Sequence, residues 1–293
     1  MNSSENVFVL RNPRDAVFMT DPALDARPIC DLLLLIHKHC IQLALKERRS
    51  GRILALEVIH ADVKKFSGWR MFLENVSTSS KILRNYEFRQ VYAGLISNEY
   101  TLIPEALYKT GDEVIYFKKN FSESFRYNIH CQKNLQNHLY IAFGTEPELE
   151  TELQHLFQDP QIWHHSQALM AGFAGHSVAQ DKNLWLQIHR ETLDIVISEN
   201  RKLIFVNSFQ WQSNEDILYY LLFVCEQIGV NTEKCLLTIT GEIIEGSALY
   251  IMLFNHFINV QLPSRPNNVS SSFSQDELPF HEYALMYNFS QCE

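Results

Sequence analysis

Residues 33–45 read LLLIHKHCIQLAL, and residues 185–197 read WLQIHRETLDIVI. In both segments an apolar run ends at an Ile-His pair followed by a basic residue, and a second apolar run begins after a short turn. Short apolar runs separated by polar turns are typical of antiparallel strands. The two segments therefore predict two β-hairpins with the same layout, in which residues 36–38 correspond to residues 188–190.

Each predicted hairpin is followed by the same kinds of element. A third strand over residues 52–59 precedes an amphipathic helix that begins at Asp62. A third strand over residues 203–209 likewise precedes a helix over residues 217–228, for which Ser213 is a suitable N-cap. Two copies of three antiparallel strands, helix, strand and helix predict an internal duplication. Chance similarity between two apolar hairpins is the alternative.

The rest of the chain completes this pattern with further short elements. Residues 91–95 and 100–103 flank a polar turn and are predicted to form a hairpin, with a short helix from Pro104 to Tyr108. The other predicted elements are strands over 127–131, 138–143, 161–164, 236–240 and 258–262 and helices over 147–157, 166–173 and 247–257.

The pattern divides the chain into four parts. Residues 1–30 are expected to form an extended N-terminal arm, residues 31–175 a first domain, residues 176–262 a second domain, and residues 263–293 a linker with an aromatic tail. The tail aromatics have two interpretations: they fold back onto the core or they dock on a partner as anchors.

Composition limits the classes of function. The 293 residues hold 25 Lys and Arg against 34 Asp and Glu, a formal net charge of −9, which disfavours nucleic-acid binding. The apolar runs fall short of the roughly 18 residues that a membrane span needs. The six cysteines form no Cys-x-x-Cys pair, which favours reduced thiols. We therefore expect a cytoplasmic protein.

The duplicated pattern resembles the actin-like ATPase superfamily, which includes the pilus-assembly actin homologues. More closely, residues 100–108, 162–166, 203–209 and 216–223 resemble a bacterial family, domain of unknown function 3822, to which that fold is assigned. The resemblance extends over residues 31–262. It implies an α/β protein with a duplicated actin-like (RNase H-like) ATPase fold, in which two domains have mixed sheets flanked by helices. It implies no activity.

The resemblance also locates the phosphate-binding residues of active actin-like ATPases. Those proteins carry Asp-x-Gly in each first hairpin, where Asp serves Mg²⁺ and Gly lets the backbone approach phosphate. The matching positions here hold Leu35 and His37 in one hairpin and Gln187 and His189 in the other. Leu193 stands where a hydroxyl would be. A shifted alignment would restore a single site at most, with Asp194 or Asp31.

The segment after residue 240 has a weak similarity to two nucleotide motifs. Gly241 is followed by Glu242 rather than by the second glycine of the adenosine site. Residues 241–248 also approach the P-loop pattern, but Ser247 and Ala248 replace its Lys and hydroxyl residue. We expect a strand-to-helix turn with Ser247 as N-cap.

The sequence has two histidine pairs, one of which has the spacing of metal ligands. His37 and His39 share one side of a strand if the strand continues, but they lie at a turn without an obvious third ligand, which favours exposed turn histidines. His164 and His165 precede Ser166 and are expected to be a strand end and a helix cap. The sequence therefore assigns no metal site.

These observations favour a non-catalytic scaffold or interaction protein on a degenerate actin-like ATPase fold, with an unknown protein partner. The alternative is a cryptic nucleotide-binding enzyme with a rearranged metal site in the cleft between the domains. No catalytic residue and no cofactor is expected, although ATP with Mg²⁺ stays possible. Gln187, His189 and Gly241 are the predicted remnant of a nucleotide cleft.

Overall fold

The computed structural model describes residues 17–176, 182–266, 273 and 278–292. The strands are β1 (Val17–Thr20), β2 (Cys30–His37), β3 (Cys40–Glu47), β4 (Ile53–His60), β5 (Val91–Leu95), β6 (Tyr100–Pro104), β7 (Asn128–Asn134), β8 (Leu139–Thr145), β9 (Gln161–His164), β10 (Lys182–Ile188), β11 (Thr192–Glu199), β12 (Lys202–Gln210), β13 (Leu236–Gly241) and β14 (Asn259–Gln261). The helices are α1 (Trp69–Ser79), α2 (Lys81–Asn85), α3 (Asp112–Asn120), α4 (Pro147–Leu156), α5 (Ser166–His176), α6 (Asn214–Ile228), α7 (Ala248–His256) and α8 (Phe280–Phe289).

The first sheet has six strands in the order β1-β4-β3-β2-β5-β9. Strands β2, β3 and β4 are antiparallel to one another, whereas β5 is parallel to β2 and β9 is parallel to β5. All eight residues of β2 are buried, because the strand is central and both of its faces are covered. Residues 17–20 of the predicted arm form the edge strand β1; residues 1–16 lie outside the described residues.

The second sheet repeats the arrangement of the first with the order β12-β11-β10-β13-β14. Strands β10, β11 and β12 are antiparallel, and β13 and β14 run parallel to β10. The registers also agree: Leu35 pairs with Gln42 in the first hairpin, and Gln187 pairs with Asp194 in the second. The two predicted hairpins therefore occupy equivalent positions in two similar sheets.

A third sheet, with the order β6-β8-β7, carries α3 on one face. The predicted hairpin of residues 91–95 and 100–103 is wrong, because the two segments belong to different sheets. Strand β5 pairs with β2 and β9, while β6 pairs with β8. The short helix expected after Pro104 is a 3-10 turn over Glu105–Leu107.

Helices α5 and α8 pack against each other beside both large sheets. Their core joins Leu35 of β2 to Trp185 of β10, with the tail aromatics among its members. Gly172 of α5 allows the close approach, since a Cβ there would lie 1.8 Å from Asn288 Nδ2 of α8. Of the two interpretations of the aromatic tail, the structure shows the first: residues 280–289 fold back onto the core.

Local sequence explains where several helices begin. Ser213 forms a capping box with Asp216 at the start of α6, and Ser247 caps α7 through Tyr250 N. The helix predicted from Asp62 begins at Trp69 instead, because Asp62 caps a separate 3-10 turn. Among the described helices, none combines the length and the apolarity that crossing a membrane requires.

Candidate functional site

The turns of the two equivalent hairpins face each other between the large sheets. The β2–β3 turn presents His37 and the β10–β11 turn presents His189, and the two rings stack with centroids 5.9 Å apart. His189 N–H donates to Thr192 O (2.9 Å), and Trp211 Nε1 donates to His189 O (2.9 Å), which fixes the second turn. The turns therefore bring two histidines into contact between two halves of the molecule, the half that contains the first sheet and the half that contains the second.

Asp194 of β11 is the buried acid of this cluster. Its Oδ1 lies 3.1 Å from His165 Nε2 and also accepts a hydrogen bond from Ser208 Oγ, while its Oδ2 lies 3.2 Å from His189 Nε2. Burial alone would raise the pKa of Asp194, but the charge and hydrogen bonds of His165 and the hydrogen bond of His189 outweigh burial and hold this pKa well below 3.8. Asp194 is therefore a carboxylate, and it links the second sheet to the residue before α5.

Two adjacent histidines before α5 have different proton requirements. His164 Nδ1 accepts from Ser166 N and its Nε2 lies 3.2 Å from Ser97 O, so one proton, on Nε2, satisfies this ring. Burial, followed by the charge of His165, lowers the pKa of His164 well below 6.5. His165 has acceptors at both nitrogens, with Leu95 O 3.2 Å from Nδ1 and Asp194 at Nε2. His165 therefore needs a cation at Nε2: a second proton or a metal ion.

The expectation that His37 and His39 are exposed is wrong. Both rings are buried, because the turn that carries them faces the other half of the molecule rather than solvent. His39 Nε2 lies 2.9 Å from Glu191 Oε2 and its Nδ1 lies 3.3 Å from Asp62 Oδ2. These are ion-pair distances without hydrogen-bond orientation. Burial and then the neighbouring charges, His189 first, lower the pKa of His37 well below 6.5.

The three residues predicted as a nucleotide remnant line one cavity. Gln187, His189 and Gly241 border a space of about 30 Å³, whereas cofactor pockets usually have about 300 Å³ or more. Gln187 Oε1 accepts from the Thr240 hydroxyl (2.7 Å) instead of facing open space. Gly241 has φ +89°, and a Cβ there would lie 2.0 Å from Ile188 O, so the packing of β13 on β10 explains this glycine.

Asp31 and Asp194, the two acids that a shifted alignment would place at an Mg²⁺ position, lie in different parts of the structure. Asp31 lies at the opposite end of β2 from the turn and pairs with Arg48 Nε at 2.9 Å, so it takes no part in the cluster. Asp194 lies at the centre of the cluster. Leu35, at the first Asp position, is buried in the core between α8 and the sheet. The donors at the turns are therefore mainly imidazole nitrogens, which do not fit the oxygen ligands that Mg²⁺ prefers.

A larger groove of about 720 Å³ lies on the outer side of the same turns. Three basic side chains border it, of which Lys38 pairs with Glu146 (3.6 Å) and Lys64 with Glu191 (3.7 Å). The third is Arg190.

Two members of the cluster were missed by sequence reasoning. His165 was assigned to a helix cap, and Asp194 appeared only as an alternative. Asp194 interrupts the apolar run of β11 and is buried. A lone charge within a buried strand needs a partner, and that is the signal which identifies it.

Comparison with a family model supports the resemblance found from the sequence. The model of the family described as "Protein of unknown function (DUF3822)" matches residues 23–260. No match was found among curated proteins.

Solved structures show the same fold at low sequence identity. A Bacteroides thetaiotaomicron protein with actin-like ATPase fold and unknown function has a TM-score of 0.76 and 21% identity, covering 92% of this chain and 98% of its own. PilM in the PilM–PilN type IV pilus biogenesis complex has a TM-score of 0.64 and 12% identity, with coverages of 90% and 98%. The ethanolamine utilization protein EutJ from Carboxydothermus hydrogenoformans has a TM-score of 0.52 and 10% identity, with coverages of 94% and 93%. The chain therefore belongs to the DUF3822 family and has the actin-like ATPase fold.

Proposed function

We propose that this protein is a non-catalytic scaffold on a degenerate actin-like ATPase fold. The observation that carries the proposal is the cavity of about 30 Å³ at Gln187, His189 and Gly241, because it leaves no room for a nucleotide. Contacts between the two turns, including the stacked rings of His37 and His189, join the halves beside this cavity. Such contacts favour a fixed arrangement of the halves, which suits a protein that holds partners.

The charges near the cavity support the same conclusion. Glu242 and Glu282 border it, and carboxylates at this position repel phosphate groups. A buried Leu35 and a hydrogen-bonded Gln187 replace the acids that hold Mg²⁺ in active members of the fold. Phosphoryl transfer depends on such positioned charges, and the loss of one commonly slows a reaction by about 10²- to 10³-fold.

A protein partner is the second part of the proposal. PilM, which shares the fold, is found in a complex with PilN. Large apolar side chains of α6 and α7 are exposed here, and Tyr219 and Phe223 stack with centroids 6.0 Å apart. Aromatic side chains are frequent anchors at protein interfaces. We propose that this face of the second sheet's helices contacts the partner.

The matching strand orders of the two large sheets favour an internal duplication and a division into two domains. We infer that an internal duplication produced the two sheets, with a first domain over residues 31–175 and a second over residues 176–262. The equivalent registers of the two hairpins support this inference. We place the protein in the cytoplasm, where the thiols of all six cysteines would stay free as they are here.

Calorimetric titration with ATP and Mg²⁺ tests the proposal that the protein is non-catalytic. We expect no Mg²⁺-dependent binding in the wild type and no change in Gln187→Ala. Tight Mg²⁺-dependent binding that Gln187→Ala abolishes would favour the enzyme instead.

Reconstitution tests the partner. A protein captured from the native cell is purified separately and titrated with the wild-type chain. Phe223→Ser should weaken direct binding about tenfold or more, whereas the exposed Phe125→Ser on the opposite half should not. Equal affinities for the wild type and both variants would remove the α6–α7 face from the proposal.

The alternative, a cryptic nucleotide-binding enzyme, has one observation in its favour. The groove of about 720 Å³ is large enough for a nucleotide and is bordered by Lys38, Lys64 and Arg190. A nucleotide in this groove would lose affinity in Arg190→Ala and keep it in Gln187→Ala. The same calorimetric titration of these two variants therefore shows whether a nucleotide binds in the groove or in the cavity at Gln187.

A further inference from the structure

Three ligand atoms of the central cluster lie close enough to share one ion. The atoms belong to His165, His189 and Asp194, and all of them lie within 4.8 Å of one another. His165 Nε2 lies 3.1 Å from Asp194 Oδ1 and His189 Nε2 lies 3.2 Å from Asp194 Oδ2, so the two imidazoles face different oxygens of the carboxylate. In a tetrahedral site with bonds of about 2.0–2.1 Å, neighbouring ligand atoms are about 3.3 Å apart. An ion at this place would bind either one oxygen of Asp194, after the carboxylate turns, or both of its oxygens.

Surrounding groups orient two of these ligands. Leu95 O lies 3.2 Å from His165 Nδ1 and accepts its proton, which directs the lone pair of Nε2 toward Asp194. The hydroxyl of Ser208 holds Asp194 Oδ1. Histidine ligands of metals usually make this kind of hydrogen bond through their other nitrogen. Because both nitrogens of His165 face acceptors, a cation belongs at Nε2.

We propose that His165, His189 and Asp194 form a binding site for one divalent transition-metal ion. Two imidazoles and one carboxylate suit Zn²⁺ or Fe²⁺, and they disfavour Mg²⁺, which prefers oxygen ligands. Three protein ligands leave a fourth position for water. The site does not depend on the scaffold proposal, because a metal could equally serve a structural or a catalytic role.

The position of the site gives the ion a structural consequence. His165 precedes α5 and follows the last strand of the first sheet, whereas His189 and Asp194 belong to the second hairpin. One ion would therefore tie the two halves together at the place where their turns meet. His189 also borders the small cavity.

Zinc binding to the full-length chain tests the proposal. The chain is freed of metal with a chelator, incubated with Zn²⁺ or Mg²⁺, dialysed and analysed for metal content. We expect one Zn²⁺ per chain and no retained Mg²⁺. His165→Gln and Asp194→Asn should each weaken Zn²⁺ binding by roughly 100-fold or more, since even removing a group that only orients a ligand weakens affinity about 10- to 100-fold.

His164→Gln is the matched control. This histidine is adjacent in sequence and equally buried, and its ring centroid is 4.5 Å from that of His165, but both of its nitrogens have other partners. The His164→Gln variant should still bind one Zn²⁺ per chain. Zinc binding that survives the two ligand variants, or that is absent from the wild type, would overturn the proposal.

If a variant does not fold, X-ray absorption of the zinc-loaded wild type identifies the atoms that bind the ion. The proposal predicts nitrogen and oxygen neighbours only, with two imidazoles. A sulfur neighbour would overturn it, because it would place the ion at a cysteine instead.

Discussion

The two hairpins occupy equivalent positions in similar sheets, yet their central residue pairs differ. In the first hairpin Leu35 pairs with Gln42, and in the second Gln187 pairs with Asp194. Both turns place a buried histidine opposite the other turn. The acid at this paired position, Asp194, contacts His165 and His189, and the first hairpin has no acid at the equivalent position.

Under the proposed function, the fold keeps its frame while its cleft loses the ATPase chemistry. An actin-like ATPase needs a cleft that opens to phosphate and Mg²⁺. Here Asp194 contacts His165 at 3.1 Å across the two halves, so the carboxylate acts within the protein. The two hairpins have the same strand register, but the side chains near their turns make different contacts.

Removing the carboxylate should produce the largest effect. Asp194→Ala leaves His165 and His189 without their buried partner, and breaking a buried ion pair from one side costs about 3–5 kcal/mol. Gln42→Ala at the equivalent position should cost about 1 kcal/mol, because Gln42 Oε1 has no hydrogen-bond partner to lose. Urea unfolding of both variants measures the difference. Equal losses would contradict the asymmetry between the hairpins.

Gly241 offers a second contrast between the sheets, since Leu95 occupies the equivalent position beside β2. Gly241→Ala should lower the free energy of unfolding by about 3 kcal/mol, because positive φ and a contact of 2.0 Å with Ile188 O act together. Gly246→Ala, with φ +78° and open space around it, should cost only about 1 kcal/mol. Similar losses in the two variants would show that the close approach of β13 to β10 is unimportant.

Acid should destabilise the protein through the buried histidines. His37 and His164 have pKa values well below 6.5 in the folded state, so below pH 6.5 the unfolded chain binds their protons and the folded chain does not. Their contribution to stability is complete above pH 6.5 and declines as pH falls toward the folded pKa values. Each can contribute up to about 1.4 kcal/mol per pH unit to the slope.

The slope of the unfolding free energy against pH, measured between pH 6.5 and 5, shows which histidine is responsible. His37→Gln should reduce the slope by up to about 1.4 kcal/mol per pH unit, the contribution of one proton. An unaltered slope in His37→Gln would mean that the first turn does not keep its histidine neutral. The lowered pKa of Asp194 acts at lower pH and in the same direction, because its stabilising charge is lost only as pH falls below 3.8.

The ion pair between the turns should have the smallest effect. Glu191 is half exposed, and His39 faces it at 2.9 Å without good hydrogen-bond orientation. Exposed ion pairs contribute about 0.2–1 kcal/mol. A double-mutant cycle of His39→Gln and Glu191→Gln should therefore give a coupling free energy below about 1 kcal/mol. A coupling near that of a buried pair would show that the outer side of the turns is as important as Asp194.

Much of the fold could be predicted from the sequence because apolar runs mark buried strands. The predicted strand over residues 161–164 coincides with β9, and those near residues 184, 193 and 203 lie within two residues of β10, β11 and β12. The hairpin of residues 91–95 and 100–103 failed for a physical reason. Strand β5 has parallel partners that are far away in the sequence, and a local turn does not reveal them.

The candidate site was harder to predict because its contacts join distant segments. His165 and Asp194 are 29 residues apart, and their contact depends on how α5 crosses between the sheets. His37 and His39 were assigned to solvent because turns are usually exposed. That rule fails here because the opposite turn covers them. Gln187, His189 and Gly241 do lie together as the alignment implied, although their role as a nucleotide remnant stays a prediction.

The rate of ATP hydrolysis by the purified chain tests the central claim most directly. We predict turnover at background, because two hairpins without the Asp-x-Gly acids cannot position Mg²⁺ and phosphate. The double variant Gln187→Asp/His189→Gly should stay at background as well, since Leu35 and His37 still occupy the other hairpin. Turnover at the ordinary kinase rate of about 1 per second or faster, retained through repeated purification, would contradict the claim that the cleft has lost its ATPase chemistry.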